Sequence, residues 1–131
     1  MRLLVDTHVV LAMFDPESFG QIDRVVVAEA SAVGNELHVS VASLWEIAIK
    51  VRTGKLDLNV PLSQLPEVIE QLGCNLLPID GNQVLTDVDP WPGTKDPFDR
   101  LLIAICAAEG LRLLTADRIL ANHLLAWPAP A

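Results

Sequence analysis

Four times along the chain, an acidic residue adjoins a short apolar run where a strand-like pattern meets a helical one. The segments are LLVDTHVVL, VSVASLWEIAIK, KDPFDRLLIAICA and LRLLTADRIL, and their acids are Asp6, Glu46, Asp99 and Asp117. Strand and helix patterns that alternate with short connections are typical of a parallel sheet covered by helices on both faces. We therefore expect an α/β fold with a central parallel sheet of four to five short strands.

The residue pattern also predicts where these elements lie. Strands are expected at 2–6, 37–40, 75–79 and 112–115, with a last edge strand at 124–127. Helices are expected at 7–14, 20–34, 42–53, 62–72 and 97–109, with a short one after Asp117. The segment 89–97 contains Pro and Gly and is predicted to be a loop.

The carboxyl ends of parallel strands lie along one edge of the sheet, where segments far apart in sequence meet. Acids brought together there repel each other unless a cation joins them. Mg²⁺ and Mn²⁺ favour carboxylate oxygens, so the pattern predicts a metal-dependent phosphoryl-transfer site. Asp6 and Asp99 are expected to be the principal ligands, while Glu46 and Asp117 bind a second ion or hold water.

Each of these acids also has an interpretation as a helix cap. Asp6 and Asp117 precede predicted helices, and Ser43 with Glu46 has the S-x-x-E spacing of a capping box. Taken singly, a cap explains each acid at least as well as a metal does. Together they favour the metal, because Ser, Thr or Asn would serve equally well as caps.

Asp96 is the exception among the acids, since Asp96-Pro97 has the composition of an N-cap followed by the first helical residue. This start places Asp99 in the first turn, where an acid also suits the helix dipole. We interpret Asp96 mainly as a cap and leave open a role beside the metal ligands. Thr7 and Thr115 flank the acids and are candidates to orient them through their hydroxyls. Ordinary strand-end chemistry is the alternative, and it is favoured for Thr7.

Length and composition indicate one domain over residues 1–131, with 51% hydrophobic residues and a mean hydropathy of +0.38. No apolar run approaches the roughly 18 residues that a membrane span needs, and the start RLLVD lacks the pattern of a signal peptide. Cys74 and Cys106 lie in apolar contexts without metal-ligand spacing. They indicate reduced thiols of a cytoplasmic protein, with a disulfide as the minority alternative.

The formal net charge of −8 argues against a broadly basic surface for nucleic acid. The bases are unevenly placed, however: Lys50, Arg52 and Lys55 follow Glu46, and Arg100 comes directly after Asp99. A cationic rim with Lys50 and Arg100 could hold a phosphate backbone. The first three bases could equally well complement a helix C-terminus.

The four segments resemble PIN-domain ribonucleases of the VapC toxin type. The matching pieces are LLVDTHVVL, VSVASLWEIAIKVRTGKLDL, KDPFDRLLIAICAAEGL and LLTADRIL, which occur in the expected order over nearly the whole chain. The resemblance implies a PIN-like domain that cleaves RNA with Mg²⁺ or Mn²⁺ and leaves 5′-phosphate and 3′-hydroxyl ends. It also implies homodimerisation and inhibition by a cognate antitoxin. By motif position, the family's acids map onto Asp6, Glu46, Asp99 and Asp117.

Three positions depart from the family's pattern. Residues 93–95 stand where the family often has a His, residues 12–13 where it commonly has a Trp, and Cys106 where a Gln is frequent. None of these changes removes an acid. We expect these changes to affect substrate preference and the rim of the pocket.

Two other functions compete with RNA cleavage. A phosphatase of the haloacid dehalogenase type would need a second Asp two residues after Asp6, where His8 stands. A catalytically degenerate module for protein binding would not need all four acids.

With three Phe, three Trp and no Tyr, the chain is poorly supplied with aromatic platforms for bases. Trp45 is expected in the core or an interface.

Overall fold

Five short parallel strands form the central sheet of the computed structural model, which describes residues 1–127. In chain order they are β1 (Arg2–Val5), β2 (Glu36–Ser40), β3 (Cys74–Leu77), β4 (Arg112–Leu114) and β5 (Ala126–Trp127). Their spatial order is β3-β2-β1-β4-β5, and every neighbouring pair is parallel. The first strand is therefore the central one, and the chain crosses it to build both halves of the sheet.

Seven helices within residues 1–127 connect the strands. They are α1 (Thr7–Phe14), α2 (Pro16–Phe19), α3 (Arg24–Ser31), α4 (Val41–Arg52), α5 (Leu65–Gln71), α6 (Gly81–Leu85) and α7 (Pro97–Glu109). Single 3₁₀ turns occur at Leu62–Gln64 and Leu120–Asn122. Helix α7 ends at Gly110, which has a left-handed backbone (φ +67°). A side chain at this position would add a steric cost that glycine avoids.

Alternate residues of each strand face opposite sides of the sheet, and both sides are covered. Leu3 and Val5 pack on one side against buried residues of α1, α3 and α5. Leu4 and Leu113 pack on the other side against α7, whose buried residues run from Leu102 to Cys106. Burial on both faces explains why the strands are apolar throughout rather than alternating. The predicted α/β class, with a parallel sheet and helices on both faces, is confirmed.

The predicted helix at 20–34 is too long at both ends. Asp23 caps α3 by accepting a hydrogen bond from the Val25 amide at 2.8 Å, and α3 ends at Ser31. The segment before it forms the separate helix α2, which Asp15 caps through the Ser18 amide. Apolar content alone predicted this helix but not its ends, because it does not mark the Asp23 cap at the start of α3.

Four further differences concern short elements. Helix α6 was not predicted, although Asp80 and Gln83 form a capping box at its start. The helix predicted at 62–72 begins as a 3₁₀ turn before α5, in which Pro66 lies in the first turn. The helix expected after Asp117 is only the 3₁₀ turn Leu120–Asn122. The edge strand is shorter than expected and retains only Ala126–Trp127.

Cys74 and Cys106 are both free and buried. Burial raises the pKa of the Cys74 thiol to about 11 and raises that of Cys106 further, so both remain protonated at neutral pH. The expected reduced thiols are confirmed, and the disulfide alternative is wrong. Among residues 1–127 no helix has the length and apolar character that a membrane crossing requires.

The central position of β1 makes Leu3 a sensitive site. Its side chain has 0% exposure, whereas Leu85 on α6 is 82% exposed. Leu3→Ala should lower the free energy of unfolding by about 2–5 kcal/mol, because it removes buried methyl groups and leaves a cavity. Leu85→Ala, the same chemical change on the surface, should stay within about 0.5 kcal/mol of wild type. Urea denaturation measures both, and equal losses would contradict the assigned core.

Candidate active site

The carboxyl ends of β1 and β4 lie side by side, because Val5 pairs with Leu114 in the parallel register. The next residues are therefore neighbours: the Asp6 amide donates to the Leu114 carbonyl at 2.9 Å. The Thr115 hydroxyl donates to the Asp6 carboxylate, with Oγ1 2.7 Å from Oδ2. Sheet register thus joins residues that lie 109 positions apart in sequence.

Asp6 occupies the N-cap position of α1, but its carboxylate makes no capping hydrogen bond. The cap interpretation is therefore wrong for this residue. The side chain is buried, and this burial raises the pKa of Asp6 above its usual value. The Thr115 hydroxyl and the charge of His8 lower it, while the charge of Glu46 raises it.

Glu46 lies in the second turn of α4 and is buried. Its Oε2 is 2.9 Å from Nζ of Lys50, one helical turn further on. The capping box expected from Ser43 and Glu46 is absent, because α4 begins earlier: Ser40 is its N-cap and accepts from the Ala42 amide at 3.0 Å. Glu46 therefore has no role in starting the helix.

Asp99 lies in the first turn of α7. Asp96 caps this helix by accepting hydrogen bonds from the amides of Phe98 and Asp99 at 2.8 and 3.4 Å, as the sequence predicted. Asp99 itself accepts from the Thr94 hydroxyl at 3.3 Å. Burial raises the pKa of Asp99 to about 7, and the charges of Asp96 and of the other three acids add to this effect. The structure thus brings the other three acids within electrostatic range of Asp99.

Asp117 serves as a cap, which confirms that alternative for this residue. Its Oδ1 accepts from the amides of Ile119 and Leu120 at 2.9 and 3.0 Å, while its own amide donates to Thr115 Oγ1 at 3.0 Å. The cap uses Oδ1 only. The half-buried carboxylate still acts on the charge of Asp99 and therefore belongs to the cluster.

The donor set of this acid cluster (Asp6, Glu46, Asp99 and Asp117) consists of carboxylate oxygens, which suits Mg²⁺ or Mn²⁺. In the present rotamers, no three His, Cys, Asp or Glu side chains among residues 1–127 are close enough to share a metal ion. Each acid is held instead by its own protein partner. The chemistry fits a divalent cation, and coordination by three or four of the acids would require their side chains to rotate toward each other.

Three other residues predicted near the acids, Thr7, Lys50 and Arg100, each have a different partner. The Thr7 hydroxyl donates to Ser43 at 2.8 Å and contacts none of the acids, so the strand-end interpretation fits it. Lys50 contacts Glu46. Arg100 donates through Nε to the Thr94 carbonyl at 2.8 Å. Sequence reasoning missed Thr94, which is buried and holds Asp99; its place just before the Asp-Pro cap was the available signal.

Two open clefts each include one acid of the cluster in their lining. One has a volume of about 810 Å³ and is lined by His8, Thr115 and Asp117 together with residues of α3. The other has a volume of about 350 Å³ and is lined by Glu46 and Lys50 together with the start of α7. Asp117 and Glu46 are thus each reached from solvent through a cleft.

A family model described as the PIN domain matches residues 3–123. The chain belongs to the PIN-domain family. It is 31% identical over 106 residues to Ribonuclease VapC22 of Mycobacterium tuberculosis, across 76% of this chain and 78% of that protein. The resemblance to VapC-type PIN ribonucleases that the motifs indicated is thereby confirmed.

A solved structure shares the fold. It is the crystal structure of VapBC2 from Rickettsia felis bound to a DNA fragment from their promoter. The match has a TM-score of 0.53 and covers 86% of each chain at 14% sequence identity. At this identity the likeness supports the PIN fold alone.

The raised pKa of Asp99 makes the metal-free protein sensitive to pH. Between its usual pKa of 3.8 and about 7, the folded state holds a proton that the unfolded state has lost. The free energy of unfolding should therefore fall as pH rises through this window. Asp99→Asn should make the fall shallower, because it removes both the titration and the repulsion.

Urea denaturation in chelator at several pH values measures this slope. Asp57→Asn, an exposed carboxylate outside the cluster, is the matched control and should keep the wild-type slope. A slope in Asp99→Asn as steep as that of wild type would contradict the assigned repulsion.

Proposed function

We propose that this protein is a metal-dependent endoribonuclease that acts as the toxin of a toxin–antitoxin pair, carried by one PIN domain over residues 1–131. The observation that carries the proposal is the convergence of the four acids at the carboxyl edge of a PIN-family sheet. The relationship to a protein named a ribonuclease supports RNA as the substrate. Mg²⁺ or Mn²⁺ is the proposed cofactor, because the donors are all carboxylates.

Asp6 and Asp99 would hold the principal ion, with Glu46 and Asp117 at a second position or against water. A bound divalent ion would neutralise phosphate charge and activate water for attack. Attack at phosphorus with departure of the 3′-oxygen gives a 5′-phosphate and a 3′-hydroxyl. The protein's own part is orientation: Thr115 fixes one oxygen of Asp6, and Thr94 fixes one of Asp99.

Lys50 and the two clefts support a polymeric substrate. Lys50 offsets the charge of Glu46 and lines the smaller cleft, where Lys55 is a second cation. A phosphate backbone that crosses the acid cluster would meet these ammonium groups on one side. Asp96 caps α7 and lines the same cleft beside the cluster.

Asp6→Asn and Asp99→Asn should each lower RNA cleavage at least about a hundredfold, because each removes charge that holds the metal. The test is a time course of purified protein on RNA with Mg²⁺ or Mn²⁺, stopped by chelator. Asp57→Asn should retain wild-type turnover. Full activity in both cluster variants would refute the assigned site.

Thermal unfolding with and without Mn²⁺ separates a loss of metal binding from a loss of the fold. Metal bound only by the folded state adds about 2.7 kcal/mol at a hundredfold excess over Kd, so Mn²⁺ should raise the melting temperature of wild type. Asp6→Asn should still melt cooperatively but gain much less. Equal gains in both proteins would place the metal elsewhere.

The partner proposals concern the protein's surface. A cognate antitoxin would lay a segment across an apolar helix face and place a basic side chain, best an Arg, among the four acids, because a planar guanidinium matches carboxylates. A homodimer would bury exposed apolar side chains of α3 such as Val27, which lies outside the larger cleft. Symmetric pairs are the commonest oligomers.

Light scattering at micromolar concentration should return twice the chain mass of 14.2 kDa. Val27→Asp should shift the protein toward the monomer, because it places a charge in the proposed interface. Val84→Asp is the matched control on α6, since Val84 is 55% exposed and Val27 44%. A wild-type mass near 14.2 kDa would exclude the dimer.

A further inference from the structure

Trp91 is a large aromatic residue that the fold holds at the surface. It lies in the loop between α6 and α7, and its exposed fraction is 56%. The loop around it is anchored, because Val88, Pro92 and Thr94 are all buried. The indole is therefore presented to solvent from a fixed backbone, which lowers the conformational entropy that binding would cost.

Arg100 lies over this indole. Its guanidinium carbon is 5.2 Å from the centroid of the Trp91 ring, within the range of a cation–π contact. Its Nε donates to the Thr94 carbonyl, which fixes the plane of the group. In a chain with 17 acids and nine bases, Arg100 forms no salt bridge with any residue of 1–127. Its charge therefore remains available to an anion.

Thr94 connects this Trp91–Arg100 pair to the acid cluster. Its carbonyl accepts from Arg100, and its hydroxyl donates to Asp99 at 3.3 Å. Asp99 and Arg100 are also consecutive residues of α7. The aromatic surface therefore keeps a fixed position beside an acid that we assign to the reaction site.

A groove of about 460 Å³ is lined by Trp91 and by residues that directly follow Asp117. Trp91, Pro92 and Gly93 form one wall, and Arg118 and Ile119 form the other. The groove thus combines an exposed indole with a second cationic side chain. Aromatic surface next to positive charge is the combination by which proteins hold single-stranded nucleic acid, with bases stacked and the backbone neutralised.

We propose that Trp91 and Arg100 form a subsite for an unpaired nucleotide of the RNA substrate, next to the phosphate that is cleaved. The base stacks on the indole, and the guanidinium contacts the adjoining phosphate. This inference rests on the proposed ribonuclease function and adds the two side chains that hold one base and its phosphate. It also revises the expectation that aromatic platforms are poorly supplied, because one exposed Trp provides a platform here.

Binding in chelator tests the subsite without cleavage. The probe is a short fluorescein-labelled oligoadenylate, and its comparison is an abasic oligoribonucleotide of the same length and charge. Trp91→Ala should weaken oligoadenylate binding by about five- to a hundredfold, the equivalent of roughly 1–3 kcal/mol for one base–aromatic stack. It should leave abasic binding unchanged, and Trp91→Phe should recover part of the affinity.

Trp45→Ala is the matched control, since Trp45 is also 56% exposed but lies on α4. It should leave oligoadenylate affinity at the wild-type value. Arg100→Lys should weaken binding of both probes, because the planar contact to phosphate is lost while the charge remains. Unchanged affinity in Trp91→Ala, or equal losses in the two Trp variants, would overturn the subsite.

Two further outcomes separate this inference from the function on which it rests. Trp91-dependent binding in a protein that cleaves no RNA with Mg²⁺ or Mn²⁺ would support the subsite and refute the ribonuclease proposal. Active cleavage with unchanged oligoadenylate binding in Trp91→Ala would do the reverse. If that variant bound oligoadenylate normally but lost its complex with the antitoxin, the pair would be a protein interface and the subsite would be wrong.

Discussion

Mutual repulsion among four carboxylates at one edge of the sheet is the constraint on which the site's structure depends. Burial removes the water that would screen them, so the energy of each charge depends on its neighbours. Each acid accordingly has a local partner: a hydroxyl for Asp6 and for Asp99, an ammonium for Glu46, and backbone amides for Asp117. These partners hold the acids without neutralising the whole cluster. Burial and this residual repulsion together raise the pKa of Asp99, and a bound cation of the kind that we propose would relieve the repulsion.

The packing of the apolar sheet holds the four acids together against their repulsion. The central strand β1 has neighbours on both sides and helices above and below, so the backbone that carries Asp6 cannot move away from β4. Repulsion that would otherwise spread the acids apart is opposed by the packing of the layers. A strained polar edge on a well-packed sheet is a common arrangement for functional sites, because stability elsewhere in the fold supports it.

Cations are scarce in this chain, and their positions are informative. Lys50 contacts an acid of the cluster, and Arg100 is held by a carbonyl and an indole rather than by a carboxylate. A protein of net charge −8 attracts nucleic acid poorly at long range, so the RNA binding that we propose would depend on such local contacts. Stacking on Trp91 suits this situation, because it adds affinity that does not depend on overall charge.

The sequence by itself determined the fold class and the family and singled out the four acids as candidates, because apolar periodicity and short motifs are local signals. Strand positions and the Asp96-Pro97 cap followed from the same signals. It could not determine which acids were caps, because a cap and a ligand share the same local sequence: Asp117 caps a turn, whereas Asp6 stands at a cap position and instead accepts from Thr115. Only the tertiary structure decided such pairings, since Asp6 and Thr115 meet through the register of two strands and Trp91 meets Arg100 through the path of a loop. Contacts between distant segments depend on how the layers pack, and no local pattern of residues encodes that packing.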